Sequence, residues 1–241
     1  MGMQLRMKWK DKKLLILLGI NIILLLFNIT FATRAPAEKS ISTGVAGVTP
    51  AESESNLKKK IALTFDDGPH PEYTPMLLDG LKEREVSAAF FLMGKNAEKY
   101  PEIVERMYKE GHTIGNHSYS HVQLSSLEDL EACKEITKAN KVVESITGKE
   151  PDYIRPPFGS WNPDLDCITN MIVVLWDVDP LDWKCQNTDL IVKRVVSKVK
   201  EDDIILLHDS YKTTVEATFQ IIDTLEKEGY EFVALDEIIL E

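Results

Sequence analysis

Apolar and polar positions alternate in blocks along residues 57–241, and the blocks predict strands and helices in turn. Apolar runs of about four to eight residues predict buried strands, whereas apolar residues recurring at a helical period predict amphipathic helices. The predicted strands are 60–65, 88–93, 171–178, 204–207 and 231–234, and the predicted helices are 73–84, 101–110, 127–146, 188–199 and 214–228. This βα alternation favours an α/β fold with a parallel sheet or barrel.

The longest apolar run lies at 14–32 and contains no charged side chain. Its length is close to the roughly 20 residues that a helix needs to span a bilayer. Five basic residues and one acidic residue precede it in 1–13, so the N-terminus should stay cytoplasmic and the downstream chain should be extracellular. A cleaved signal peptide is the alternative, but its apolar region usually spans only about 7–15 residues. We therefore predict a single-pass anchor at 14–32, in the cell membrane.

Residues 33–56 are rich in Ser, Thr, Ala, Gly and Pro and have no amphipathic period, which predicts a flexible spacer ahead of one domain at 57–241. The formal net charge of the chain is −11, and the basic tail makes this domain more acidic still. Because nucleic-acid affinity depends on Lys and Arg neutralising phosphates, we expect no nucleic-acid partner. An acidic domain fits a neutral or amine-bearing polymer better.

The three cysteines, Cys133, Cys167 and Cys185, show no zinc-ligand spacing. An odd number cannot form a closed set of disulfides. We expect all three to behave as small apolar residues, with a Cys167–Cys185 bridge as the alternative.

Two adjacent carboxylates, Asp66 and Asp67, end the first predicted strand, in the segment TFDDGP. The carboxyl ends of strands are where barrel enzymes place catalytic groups. Two neighbouring carboxylates repel each other, so a metal ion bound to one and an arginine beside the other would relieve the repulsion. The plain alternative is that Asp-Gly-Pro only forms a turn.

Two histidines, His117 and His121, stand four positions apart in the segment HSYSH. On one helical turn that spacing would direct both imidazoles at the same ion, although the glutamate of the HExxH protease motif is absent. Together with Asp67 they make three ligands, and three protein ligands with an open position are typical of a catalytic metal site. A chance pair of surface histidines is the alternative.

Three further segments are weak signals when each is taken alone: RPPFG at 155–159, DPLDW at 179–183 and LLHD at 206–209. Their plain interpretation is a rigid loop, an acidic loop and a strand end. In order, however, the five segments resemble the five motifs of the polysaccharide deacetylase family, the NodB-homology domains of carbohydrate esterase family 4. The resemblance covers about residues 57–241 and implies a distorted (β/α) barrel of about seven strands.

The resemblance implies a metal-dependent N-deacetylase that releases acetate from an amino-sugar polymer. Peptidoglycan N-acetylglucosamine is the first expectation for the substrate, with N-acetylmuramic acid, poly-N-acetylglucosamine, chitin oligomers and acetylxylan as alternatives. An inactive carbohydrate-binding relative and a different metal hydrolase, such as a peptidase, are the other function classes to be tested. The sequence does not indicate an oligomeric state.

The resemblance also implies a role for each matched residue. Asp66 would be the general base, oriented by Arg155, and His208 would be the general acid, positioned by Asp182. The ligands of one divalent metal ion, zinc first with cobalt or nickel as alternatives, would be Asp67, His117 and His121.

Three more matched residues would contact the substrate. The backbone N–H of Phe158 would stabilise the oxyanion, while Trp183 and Leu206 would form the acetyl pocket. Phe158 departs from the family, which commonly has Tyr at this position, so any substrate contact made by that hydroxyl is missing here.

Overall fold

The computed structural model describes residues 58–165, 167 and 170–240. The strands are β1 (Lys59–Asp66), β2 (Ala89–Leu92), β3 (Thr113–Asn116), β4 (Tyr153–Ile154), β5 (Ile172–Val173), β6 (Ile204–His208) and β7 (Tyr230–Phe232). The α-helices are α1 (Tyr73–Glu83), α2 (Gly94–Lys99), α3 (Pro101–Lys109), α4 (Asp129–Thr147), α5 (Asp182–Cys185), α6 (Thr188–Val196), α7 (Lys212–Lys227) and α8 (Leu235–Ile239). Short 3₁₀ turns occur at Leu124–Ser126 and Pro157–Gly159.

The seven strands form one parallel sheet in the order β5-β4-β3-β2-β1-β6, with β7 paired to the start of β1. Strand β1 is central because β7 pairs along Lys59–Ile61 and β6 pairs along Ala62–Asp66. The sheet curls into a half-barrel, so the predicted α/β fold with about seven parallel strands is confirmed.

The predicted strand at 171–178 is regular only over Ile172–Val173. Its continuation changes partner: the Val174 N–H donates to the Ile154 carbonyl of β4, whereas Val178 bridges to Ile205 of β6. One segment therefore pairs with β4 near one end of the sheet path and with β6 at the other end, which curls the sheet and breaks the strand pattern.

The core follows the alternation of side chains along the central strands. Leu63, Phe65 and Phe90 pack with the buried faces of the surrounding helices, whereas Ala62 and Ala89 belong to a smaller cluster. Successive residues of a strand point to opposite faces, so Phe90 of β2 packs in the larger cluster, whereas Ala89 and Phe91 belong to the smaller one. This packing fixes the strands, and their carboxyl ends meet at one rim.

The boundaries expected at 1–13, 14–32 and 33–56 lie outside the described residues and stay predictions. Within the described part of the chain, no helix combines the length and apolarity needed to cross a bilayer.

A disulfide joins Cys133 of α4 to Cys167, while Cys185 is a free thiol. The expectation of three unpaired cysteines and its Cys167–Cys185 alternative are both wrong. The two bonded residues are 34 positions apart and their Cα atoms are 5.7 Å apart, because the segment after β4 folds back against α4. Sequence spacing carries no signal for such a long-range contact.

Candidate active site

The two carboxylates of the first motif lie at the rim of the sheet. Asp66 is the last residue of β1 and is in register with His208 of β6. Asp67 follows it with a left-handed backbone conformation (φ 74°). The side chain of Asp66 is buried, whereas that of Asp67 is 32% exposed, so the two acids occupy different environments although they are adjacent.

A fully buried guanidinium compensates the charge of Asp66. Arg155 Nη1 donates to Asp66 Oδ1 at 2.8 Å and to Thr64 Oγ1 at 2.8 Å. The other guanidinium nitrogens donate to the carbonyl oxygens of Val174 and Leu175. Removing one partner of such a buried ion pair leaves an uncompensated charge, which is strongly unfavourable. Arg155 is therefore fixed, and it holds the Asp66 carboxylate in one orientation.

Asp67, His117 and His121 bring three ligand atoms within 4.8 Å of one another. His121 Nε2 lies 3.2 Å and His117 Nε2 lies 3.5 Å from Asp67 Oδ1. That oxygen is buried and has no hydrogen-bond partner among the described residues. An orphaned carboxylate oxygen facing two imidazole nitrogens is a donor set that fits a divalent metal ion.

The hydrogen bond of His117 and the lowered pKa of His121 also fit metal binding. His117 Nδ1 lies 2.7 Å from the carbonyl oxygen of Arg155, so Nδ1–H donates there and Nε2 keeps its lone pair. Burial lowers the pKa of His121, and the negative charge of Asp67 only partly offsets this effect. Neutral imidazole is the form that binds a metal.

The two histidines do not share a helical turn, so that geometric expectation is wrong. They lie in the loop after β3, where Ser118 and His121 both have positive φ, of 59° and 61°. The Asn116 side chain accepts from the Ser118 N–H at 2.7 Å, and Ser118 Oγ accepts from the His121 N–H at 2.9 Å. These local bonds, rather than helical geometry, direct both rings toward Asp67.

His208 and Asp182 form a second hydrogen-bonded pair at the rim. His208 Nδ1 lies 2.9 Å from Asp182 Oδ1, and the His208 backbone N–H donates to Asp182 Oδ2 at 2.8 Å. Thr214 also donates to Oδ2, and the carboxylate is fully buried. Burial alone would lower the pKa of His208, but the hydrogen bond and charge of Asp182 outweigh it and raise the pKa to about 9.

A cavity of about 420 Å³ joins these groups. Of the predicted substrate contacts, Leu206 is buried in its wall, while Trp183 is 47% exposed at its edge. The lining residues that were not expected are Trp176, Asp179 and Tyr211. Aromatic side chains beside the quoted motifs were the available signal for Trp176 and Tyr211.

Phe158 adopts a left-handed conformation (φ 61°) inside the 3₁₀ turn after Arg155. Its ring contacts His121 edge-on, with centroids 4.7 Å apart, and 64% of the residue is exposed. The turn therefore brings both the backbone and the ring of Phe158 to the mouth of the cavity.

Comparisons with known proteins agree with this geometry. Residues 53–171 match the family profile described as polysaccharide deacetylase. The structure of the peptidoglycan deacetylase PdaC from Bacillus subtilis superimposes with a TM-score of 0.74 and 43% identity, covering 77% of this chain and 92% of that chain. The chain belongs to the polysaccharide deacetylase family.

Two curated family members specify peptidoglycan chemistry in their names. The chain is 44% identical over 194 residues to the peptidoglycan-N-acetylmuramic acid deacetylase PdaC of B. subtilis, covering 80% of this chain and 42% of the relative. It is 38% identical over 189 residues to the peptidoglycan-N-acetylglucosamine deacetylase PgdA of Listeria monocytogenes, covering 78% of this chain and 41% of the relative. The matches thus span about two fifths of the length of these relatives.

The family also contains an inactive member. A family 4 carbohydrate esterase pseudoenzyme from Bacillus anthracis matches with a TM-score of 0.71 and 29% identity, covering 76% of this chain and 66% of that chain. Membership alone therefore does not establish catalysis, which depends on the residues present at each site.

Proposed function

We propose that this protein is a metal-dependent N-deacetylase that hydrolyses acetamido groups of peptidoglycan. The favoured substrate is the N-acetylglucosamine residue of that polymer. The observation that carries the proposal is the convergence on one cavity of a candidate metal site, an arginine-bound aspartate and an aspartate-bound histidine. These are the groups that amide hydrolysis at neutral pH requires: an electrophile, a base and an acid.

Asp67, His117 and His121 would hold the metal ion. Zinc is the favoured metal, and cobalt and nickel are the alternatives. When bound, a divalent ion would supply Lewis acidity that polarises the acetamide carbonyl and makes a water molecule more acidic. All three residues line the cavity, and three protein ligands with an open position for water or substrate would distinguish this site from a closed structural one.

Asp66 would take the proton from the attacking water. Its Oδ1 is occupied by Arg155, whereas its Oδ2 lies on the side of His117 Nε2, at 3.8 Å. One oxygen is therefore held while the other faces the ligand cluster. The arginine fixes the direction in which the base can accept a proton, and fixed geometry is a large part of its contribution.

His208 would donate the proton that the departing sugar amine needs. Asp182 occupies Nδ1 of the imidazole, so Nε2 is the ring nitrogen left for the substrate. The raised pKa keeps the ring protonated at neutral pH, as a general acid requires. The Phe158 N–H would stabilise the oxyanion, and Leu206 and Trp183 would surround the acetyl methyl group.

A polymer next to the membrane fits the rest of the chain. The apolar run at 14–32 and its basic flank support a single-pass membrane anchor with the domain outside the cell. The Cys133–Cys167 disulfide supports the same location, because disulfides persist in oxidising compartments. Comparing membrane fractions of the full chain and of a variant lacking 1–32 tests the anchor, since only the full chain should sediment with membranes.

The activity is tested by acetate release from purified peptidoglycan, with mass spectrometry to locate the free amine. A free amine on glucosamine would support the proposed substrate. A free amine on muramic acid would instead support N-acetylmuramic acid, the alternative substrate named for PdaC. Parallel assays on chitooligosaccharides, acetylxylan and peptide amides separate the remaining substrate classes. Release from peptide amides alone would overturn the proposal.

An inactive carbohydrate-binding protein is the second candidate, because a pseudoenzyme shares this fold. The complete set of acid, base and ligand residues argues against it. Metal-loaded protein that binds peptidoglycan but releases no acetate from any of these substrates would establish this alternative.

A further inference from the structure

Asp209 is a fully buried carboxylate that the proposed mechanism does not use. It follows His208 at the end of β6 and has no exposed surface. Its Oδ2 accepts a hydrogen bond from Thr74 Oγ1, whereas its Oδ1 is buried without a partner among the described residues. A half-paired buried acid destabilises a fold unless the rest of the structure compensates it, so its retention here calls for a functional reason.

The hydroxyl of Thr74 links this carboxylate to the first motif. Thr74 lies in the first turn of α1 and is fully buried. Its Oγ1 accepts from the His70 backbone N–H at 2.7 Å while donating to Asp209. One hydroxyl therefore joins β6 to the far end of the turn that follows Asp67.

The near end of the same turn rests directly on the carboxylate. A Cβ added to Gly68 would lie 2.7 Å from Asp209 Oδ1 and closer still to Oδ2, so this position admits only glycine while Asp209 stays in place. Asp209 thus lies against Gly68 and is linked through Thr74 to His70, the two ends of the segment 68–70.

The opposite side of the turn is also held. The side chain of Asn96 donates to the Asp67 carbonyl at 2.8 Å, and the Met93 N–H donates to the Gly68 carbonyl at 3.2 Å. Asp67 itself has a φ of 74°, a conformation that a non-glycine residue adopts only when its surroundings hold it there.

We propose that Asp209 is a positioning residue that, through Thr74 and Gly68, fixes the turn after Asp67 and thereby aims the Asp67 carboxylate at His117 and His121. The inference rests on the proposed metal site. Residues that orient metal ligands typically change metal affinity by about 10–100-fold when they are removed.

The test is metal affinity, measured by titrating apo-protein with Zn²⁺ against a competing chelator. Thr74→Val removes the hydroxyl at nearly constant shape, and Asp209→Ala removes the carboxylate. Both should weaken Zn²⁺ binding about 10–100-fold. Thr74→Ser keeps the hydroxyl and should restore the affinity to within about threefold of the wild type. The absorption spectrum of the Co²⁺-loaded protein should shift in Thr74→Val and return in Thr74→Ser.

Thr218→Val is the matched control. Thr218 is a fully buried threonine in α7 whose hydroxyl donates to the Thr214 carbonyl, so Thr218→Val removes one buried hydrogen bond, whereas Thr74→Val removes two. Thermal unfolding of the apo-proteins should show a loss of stability in both variants, larger in Thr74→Val, whereas the Zn²⁺ affinity should change only in Thr74→Val.

Equal Zn²⁺ affinity in Thr74→Val and Thr218→Val would overturn the role of Asp209 while leaving the metal site intact. If Asp209→Ala does not fold, the comparison of Thr74→Val with Thr74→Ser still tests the positioning role. If the wild type itself binds neither Zn²⁺ nor Co²⁺, both the positioning role and the proposed function are overturned.

Discussion

His117 Nδ1 lies 2.7 Å from the carbonyl oxygen of Arg155, the residue whose side chain binds Asp66. A single residue thus orients a candidate metal ligand with its backbone and the candidate base with its guanidinium. Because both contacts are buried, the spacing between the metal site and the base is fixed by the fold and needs no induced movement.

Removing a histidine ligand should remove the metal. His117→Ala should contain less than about a tenth of the wild-type metal by elemental analysis, because two protein ligands remain where a catalytic site needs about three. Chelation should likewise abolish the activity of the wild type. His112→Gln is the control, since His112 is a buried histidine that does not belong to the ligand cluster. Full metal occupancy in His117→Ala would contradict the ligand assignment.

Asp66→Asn should stop turnover and leave the metal in place. The amide cannot accept the proton from water, and general-base contributions are typically about 10²–10⁴-fold. A loss of at least that size in kcat, with wild-type metal content, is the expected result. Asp66 would instead be a ligand if Asp66→Asn loses metal as His117→Ala does.

Much of the fold could be predicted from the sequence because the central strands and the long helices show a strong pattern of apolar residues. Strand β1 and helices α1, α3 and α7 were predicted within a few residues, since β1 is a continuous buried run and each helix buries one apolar face. Strands β3 and β4 were missed because β3 (TIGN) contains a single large apolar residue and β4 has only two residues, so neither forms an apolar run.

The sequence identified the residues of the site through their motifs and the order of those motifs. It did not predict the geometry in which those residues meet. The Asp67, His117 and His121 cluster requires the left-handed residues Ser118 and His121, and spacing alone suggested a helix instead. Trp176 and the Cys133–Cys167 disulfide depend on how the segment after β4 folds back, which no local pattern encodes.

The disulfide should stabilise the domain by limiting the unfolded chain. A closed loop of 34 residues corresponds to about 3–4 kcal/mol in the chain-entropy estimate. Reduction, or Cys133→Ser with Cys167→Ser, should therefore lower the free energy of unfolding by about that amount in urea titrations. Cys185→Ser should change it little, and reductant should have no further effect on the double variant. A reductant-insensitive wild type would contradict the bond.

Phe158→Tyr should keep or raise activity. The proposed oxyanion donor is the backbone N–H, and the ring is mostly exposed, so a hydroxyl can be added without repacking the core. The expected kcat/KM on peptidoglycan fragments is at least about that of the wild type, because the change leaves the proposed transition-state donor in place. A large loss of kcat would show that the contact between Phe158 and His121 is adapted to a ring without a hydroxyl.

The alkaline limb of the pH–rate profile should belong to His208. A general acid works in its protonated form, so kcat/KM should fall as the pH rises through the pKa of His208, which lies at about 9. Asp182 is the neighbour whose hydrogen bond and charge raise that pKa against the effect of burial. In Asp182→Asn only the smaller effects of the Asp66 and Asp67 charges still oppose burial, so the pKa of His208 should fall and the alkaline limb should move to lower pH.

Asp179→Asn is the matched control for that shift. Asp179 lies in the same motif and lines the same cavity, but its carboxylate accepts from the Leu181 N–H and makes no hydrogen bond to His208. The activity of Asp179→Asn should therefore fall at the same alkaline pH as that of the wild type. A bound metal ion adds the same positive charge in the wild type, Asp182→Asn and Asp179→Asn, so the differences between their alkaline limbs report on Asp182.

His208→Ala should lose the alkaline limb altogether, because no group that must remain protonated is left. An alkaline limb that is unchanged in both Asp182→Asn and His208→Ala would assign the proton donor to another residue, and Tyr211, which also lines the cavity, would be the next to test.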